Sequence, residues 1–375
     1  MNPKLYPAEF VFPGHPDKLA DAIADALVEA AWTRDPRALA GVEVAVHRDH
    51  VYLTGRLACP GAQDIDLGAL VRDVYRSAGY DDAWYPGPQQ LRVVSNLCLG
   101  PLEDGEAEFR ELSDDQAICV GYANALAATG HLPVEQWLVG RLARRLHRLR
   151  SEQPALALGP DGKVLLLLEE TERTQAAPSW RLADLSCSLQ QKTASDEVAL
   201  HRAVRVALEE ALSAAAHHLP GLSPQLPARL CVNGAGAFEV GGPEGDNGLS
   251  GKKLVVDAYG PRVPIGGGAW SGKDFFKADR AGGLHARRVA KALVSLGLAE
   301  EVTVSLAWYP GDRCARMVSA LTQDGRRLDV DTLAPHFDLS LRHSGERFAR
   351  TGLVEMARWG HFADQAAPWE ARLRL

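Results

Sequence analysis

Gly14-His15-Pro16-Asp17-Lys18 opens a stretch, residues 14–33, that sets the reading of the whole chain. Leu19, Ile23, Ala26, Leu27 and Ala30 recur at helical spacing, with Asp21, Asp25 and Glu29 on the other face. Pro16 suits a first helical turn, and Asp17 stands where the helix dipole favours an anion. Strand-like segments at 42–46 and 50–57 follow, turning at Arg48-Asp49. The same order then recurs. A helical pattern at 196–217, lined by Leu200, Val204, Leu208 and Leu212, precedes a strand near 229–233. Another at 281–296, with Val289, Leu293 and Leu296 apolar and Gly297 fit for a C-terminal cap, precedes a strand at 302–308. Helix then strand, three times, predicts an internal structural repeat and an α+β fold in preference to doubly wound α/β.

A fourth helix is expected at 134–150, where Leu138, Leu142, Leu146 and Leu149 form one stripe among Arg141, Arg144, Arg145, Arg148 and Arg150. The arginines read as a solvated face. Residues 100–111, acidic and irregular, and 170–179, polar with a proline, read as loops. The length, 375 residues, predicts two or three domains. The boundaries are placed at 1–112 (a first α+β domain that also takes part of the C-terminal region), 113–232 and 233–375.

Composition narrows the function. An apolar share of 46% with 24% charged residues excludes a disordered chain. A net charge of −7 argues against a general nucleic-acid binder. The longest apolar run, residues 164–168, is far short of the roughly 18 needed to span a bilayer. The N-terminus has no signal-peptide core, so a cytoplasmic protein with no membrane partner is expected. Six cysteines, none in a C-x-x-C pair, read as scattered reduced thiols.

Chemistry concentrates between Gly234 and Lys291. Gly241-Gly242-Pro243-Glu244-Gly245-Asp246-Asn247-Gly248-Leu249-Ser250-Gly251-Lys252-Lys253 is followed by Gly266-Gly267-Gly268-Ala269-Trp270-Ser271-Gly272-Lys273-Asp274. From Lys252 to Lys291 nine Lys/Arg face three Asp, an excess of +6 in an acidic chain. Glycine permits close backbone approach and leaves N–H groups for anionic oxygens, so a polyphosphate ligand fits; tight turns carrying solvated lysines would look the same. No Walker P-loop is present. In the opening pentapeptide, His15 can donate to a leaving oxygen, Asp17 can hold Mg2+ and Lys18 can contact phosphate, although a capped helix start explains it equally. Asp114-Asp115-Gln116 forms a third cluster. Pro160-Asp161-Gly162-Lys163 forms a fourth, which also reads as an ordinary turn.

These motifs, in this order, resemble the S-adenosylmethionine synthetase family. Gly14–Lys18 matches its GHPDK, and Asp115-Gln116 with Gly121-Tyr122-Ala123 is similar to GDQG…GYA. Residues 242–253 are similar to GGPxGDxGLTGRK, 266–274 to GGGAFSGKD and 277–280 to KVDR. Trp359-Gly360-His361-Phe362 and Pro368-Trp369-Glu370 resemble the closing YGHF…PWE. The resemblance covers 9–57, 113–165 and 185–310, and returns at 351–370.

It implies three similar α/β-sandwich domains about a pseudo-threefold axis, and active sites between two subunits of a homodimer, which can assemble further into a tetramer. It implies attack of methionine sulfur on C5′ of ATP, with triphosphate expelled whole and then hydrolysed, in the presence of Mg2+ and K+. By the same resemblance His15, Lys18, Lys163 and Lys273 stand at catalytic positions. Asp161, Lys163, Phe238, Lys252, Lys253, Ala269 and Lys273 join His15 around ATP. Asp115, Asp246 and Lys277 fall on the amino-acid substrate, and Asp17, Glu43 and Asp279 on metal. Lys252 replaces an arginine, which keeps the charge but loses bidentate phosphate geometry.

Three departures stand out. Arg56 occupies the place of a glutamate that in the family meets the methionine ammonium. An ammonium ~4 Å from Arg56 would be repelled by about 4 kcal/mol at an effective dielectric of 20. Ala237 replaces a phosphate-contacting arginine. The segment after Ser95 reads Gly100-Pro101-Leu102-Glu103-Asp104-Gly105 and lacks the gating-loop glutamine. Methionine is the expected acceptor. The alternatives are an acceptor that presents a carboxylate to Arg56, or a protein that hydrolyses ATP or triphosphate, or regulates, without transfer. If Arg56 alone altered selectivity, Arg56→Glu would improve methionine use.

Overall fold

The computed structural model describes residues 4–173, 178–192 and 196–371. Among these, the strands are β1 (Lys4–Val11), β2 (Leu39–His47), β3 (His50–Ala58), β4 (Arg92–Gly100), β5 (Ala117–Asn124), β6 (Leu158–Arg173), β7 (Pro178–Gln191), β8 (Leu230–Val232), β9 (Gly248–Leu249), β10 (Glu301–Trp308) and β11 (Arg316–Thr322). They form three sheets, ordered β4-β3-β2-β9, β1-β6-β7-β8 and β11-β10-β5. Each sheet has helices on one face, which matches the α+β repeat expected from sequence.

Alternation explains the one-sided burial. In β2, Ala40, Val42, Val44 and Val46 point inward and meet Leu19, Ile23 and Leu27 of the helix Pro16–Arg34. Over the second sheet, Leu138, Leu142, Leu146 and Leu149 of Val134–Glu152 pack with Leu200, Val204, Leu208 and Leu212 of Glu197–His218. Over the third, Val289 and Leu293 of Ala278–Ser295 cover Val302, Val304 and Leu306. The arginines of Val134–Glu152 lie outside this core, and Arg145 pairs with Glu210 and Glu152. Gly297 closes the third helix at φ 73°, as a C-terminal cap requires.

The sheets are not contiguous in sequence. β1 pairs with β6, β5 with β10 and β9 with β2. Boundaries at 113 and 233 therefore cut across the sheets, because a strand's own alternation does not specify its partner. Two loop expectations also change. β6 runs to Arg173 and β7 starts at Pro178, so most of the polar stretch 170–179 is strand, and residues 174–177 lie outside the described residues. Pro160-Asp161-Gly162-Lys163 is not a turn; it is an irregularity inside β6, where the register with β7 shifts. No helix is long and apolar enough to cross a membrane among the described residues.

The polar face of the helix Pro16–Arg34 also turns inward. Asp21 and Asp25 are buried. With Asp17 and Glu29 they form a stripe at every fourth residue, the spacing that places side chains on one helix face. Each accepts backbone N–H groups from distant chain. Asp17 takes Leu249 (3.0 Å), Asp21 takes Gly251 (2.7 Å), Asp25 takes Gly272 (3.0 Å), and Glu29 takes Gly352 and Leu353 (3.0 and 2.9 Å). The stripe fastens both glycine-rich loops to the helix. At Gly248 a Cβ would lie 2.2 Å from the Pro16 carbonyl carbon, so only glycine permits that approach.

Candidate active site

The expected site residues fall into two groups, joined where the glycine-rich loops abut. A Cβ on Gly251 would sit 2.6 Å from that of Ala269. The first group surrounds the start of the helix Pro16–Arg34. His15 is the N-cap, and its Nδ1 accepts the Asp17 N–H at 3.2 Å. That fixes the neutral tautomer with its proton on Nε2, available as a donor. The Tyr80 hydroxyl donates to the Gly14 carbonyl at 2.8 Å and steadies the segment.

Burial first, then Lys163 and Lys253, push the His15 ring down to about 3, against the opposing pull of Asp17. The folded ring is neutral while an unfolded one takes a proton near 6.5. The unfolded state then binds more protons, so stability falls as pH drops from about 6.5 toward 3. Between pH 6.5 and 5 this amounts to about 2 kcal/mol. We expect His15→Asn to flatten that part of the pH dependence, measured as urea midpoints at pH 7.5 and 5. An unchanged difference between the two pH values would refute it.

The Lys253 ammonium donates to Asp17 at 2.8 Å, and Lys252 approaches it at 3.6 Å. Burial alone would raise the Asp17 carboxyl, but the bonds from Lys253 and the Leu249 N–H outweigh it and hold the group below its ordinary value. Asp161, buried, accepts the N–H groups of Gly162 and Gly242 at 2.7 and 2.8 Å. Lys163 lies exposed on the uncovered face of β6. Phe238 lies against Gly241, and Asp246 is exposed nearby in sequence.

The second group follows Gly41. In register Gly41 faces Arg56 on β3 and bridges to Lys273, and a Cβ on it would lie 3.8 Å from the Lys277 side chain. The Lys273 ammonium donates to Asp279 at 2.5 Å, and Lys277 pairs with Asp114. Glu43 accepts the Ser250 hydroxyl from the uncovered face of β2.

Several placements differ from expectation. Lys18 does not face either group; its ammonium is fully buried in an ion pair with Asp257. Asp115 is exposed and its carboxylate accepts the adjacent Gln116 N–H, whereas its neighbour Asp114 meets Lys277. Arg56 is not a bare charge. Its Nε and Nη2 donate to the two carboxylate oxygens of Glu106 at 3.1 and 2.9 Å, and Nη2 also reaches the Pro101 carbonyl at 2.8 Å. The guanidinium lowers the Glu106 carboxyl in turn. Nor do the glycine loops hold all their N–H groups ready for an anion, since the acidic stripe takes several. The fourfold spacing of Asp17, Asp21, Asp25 and Glu29 was the available signal; nothing local to Glu106 announced its partner.

Known proteins resemble this chain along nearly its whole length. Residues 3–97 match the N-terminal domain of S-adenosylmethionine synthetase, and residues 240–371 match its C-terminal domain. An S-adenosylmethionine synthase of Gloeobacter violaceus is 31% identical over 99% of this chain and 96% of its own. Those of Thermosynechococcus vestitus and Deinococcus radiodurans are 30% and 29% identical, each over 98% of this chain and 95% of their own.

Proposed function

The chain belongs to the S-adenosylmethionine synthetase family, and on that premise we propose that it forms S-adenosylmethionine from ATP and L-methionine, releasing phosphate and diphosphate. The observation that carries the reading is that clamp lysines rest on carboxylates beside uncovered sheet faces: Lys253 on Asp17 and Lys273 on Asp279, at 2.8 and 2.5 Å. An arriving polyphosphate offers these ammoniums a stronger partner.

The methionine sulfur lone pair forms the S–C5′ bond as the C5′–O bond breaks, and the electron pair leaves on triphosphate. Charge on the leaving oxygen grows in the transition state. Donors that strengthen with it, His15 Nε2–H and the ammoniums of Lys163, Lys252, Lys253 and Lys273, accelerate the step. Holding sulfur in line with C5′ supplies much of the rest.

Among the described residues no three His, Cys, Asp or Glu gather into a metal cage. Mg2+ commonly needs only one or two carboxylates with substrate phosphates, and Asp17 and Asp279 fit that role. When bound, Mg2+ neutralises phosphate charge. Glu43 is the residue we assign to K+. A homodimer would bring the two groups of one chain against those of another. Supporting this, the uncovered sheet faces expose Tyr52 and Val94, which pair in register, as well as Leu165 and Ile118. Six free cysteines fit a reducing, cytoplasmic setting.

The alternative acceptor that presents a carboxylate to Arg56 loses its basis, because Glu106 already fills that guanidinium. The test is mass spectrometry of the products from ATP, methionine, Mg2+ and K+. S-adenosylmethionine together with diphosphate and phosphate is expected. ATP consumption without any 5′-adenosyl product would overturn the reading.

A further inference from the structure

An amino-acid substrate is a zwitterion with an apolar tail, so its site needs a carboxylate, a cation and an apolar wall within a small volume. A cleft of about 430 Å³ beside the second group has all three. Glu106 and Asp114 supply carboxylates, Lys277 an ammonium, and Phe109 and Phe276 the apolar wall. It adjoins the triphosphate clamp, because Arg56 at its edge faces Gly41, which bridges to Lys273.

We propose that Glu106 is the carboxylate that receives the substrate ammonium, and that Arg56 is the positioning residue that holds it there. This rests on the reading of the chain as a methionine adenosyltransferase. A carboxylate offers about four acceptor positions. Three on Glu106 are filled: Arg56 Nε on Oε1, and Arg56 Nη2 and the Glu103 N–H on Oε2, at 3.1, 2.9 and 2.6 Å. One position on Oε1 remains for an incoming N–H. The guanidinium donates to Glu106 and to the carbonyls of Pro101 and Cys98, so it ties the loop to β3 and β4. The positive charge that Arg56 introduces on β3 is thus offset by a carboxylate carried on the neighbouring loop.

Steady-state kinetics test this in the full-length enzyme, with methionine and its desamino analogue 4-(methylthio)butanoate as probes. Glu106→Gln should raise the KM for methionine about 10- to 100-fold and leave the KM for ATP within about twofold. The wild type should prefer methionine over the desamino analogue as an inhibitor or substrate, and Glu106→Gln should lose most of that preference. Arg56→Glu, which would improve methionine use if Arg56 alone altered selectivity, should instead raise the KM for methionine, because the new carboxylate would face Glu106 and Glu103. An unchanged methionine KM in Glu106→Gln, an equal rise for both probes, a parallel rise for ATP, or improved methionine use by Arg56→Glu would each overturn the proposal. A wild type that makes S-adenosylmethionine while Glu106→Gln behaves identically sinks this proposal alone. A wild type that makes none sinks the functional reading and this with it.

Discussion

Lys273→Met lowers kcat for S-adenosylmethionine formation by about 10²- to 10³-fold, with a smaller change in the KM for ATP. The split follows from when the charge develops. Ground-state triphosphate is already anionic and has other cations to meet, namely Lys163, Lys252 and Lys253. The ammonium of Lys273 matters most as the C5′–O bond breaks. The substitution should leave the fold intact, because the side chain is 23% exposed and its charged partner, Asp279, is equally open to solvent at 25%. Quenched-time-point chromatography of S-adenosylmethionine gives both constants. A kcat within about threefold of the wild type would remove Lys273 from the leaving-group clamp.

Arg280→Met produces the largest loss of stability, about 3–5 kcal/mol, read from urea midpoints. Arg280 and Asp25 are both fully buried and meet through two parallel bonds, at 2.8 and 3.0 Å. Arg280 also donates to the Lys273 carbonyl at 2.8 Å, while Asp25 accepts the Gly272 N–H. Removing the guanidinium strands a carboxylate in the interior, and the cost is that of the unpaired charge more than of the bond itself. The pair also anchors the loop that carries Lys273, so kcat should fall with stability. Asp25→Leu combined with Arg280→Met should recover part of the stability and little of the activity. A single-variant loss below about 1 kcal/mol would mean that the loop is held by something else.

How much of this was legible differs by level. The helix at 16–34 was readable because Leu19, Ile23 and Leu27 mark its buried stripe, and the structure extends it by one residue. The fate of Asp21 and Asp25 was not, because a charged face ordinarily means water. Here Gly251 and Gly272 bring backbone donors close enough to replace it. The triple repeat was legible from local patterns. The pairing of β1 with β6, β5 with β10 and β9 with β2 was not, since these partners lie far apart in sequence. At the site, the motifs named by resemblance include Asp17, Lys252 and Lys253, which lie together in the fold. A motif could not tell Asp114 from Asp115, nor place Lys18 inside against Asp257, because adjacent residues share a motif but point in different directions. Arg56 illustrates the limit most clearly. Its charge suggested a changed substrate until Glu106, fifty residues on, supplied the opposite one.

A crystal structure with a non-hydrolysable ATP analogue, Mg2+ and methionine tests the clamp most directly. The expected result is a triphosphate tail bridging the lysine at 253 and the lysine at 273, with both ammoniums moved off Asp17 and Asp279 and onto phosphate oxygens. A tail bound elsewhere, with the Lys253–Asp17 and Lys273–Asp279 pairs still closed, would contradict it.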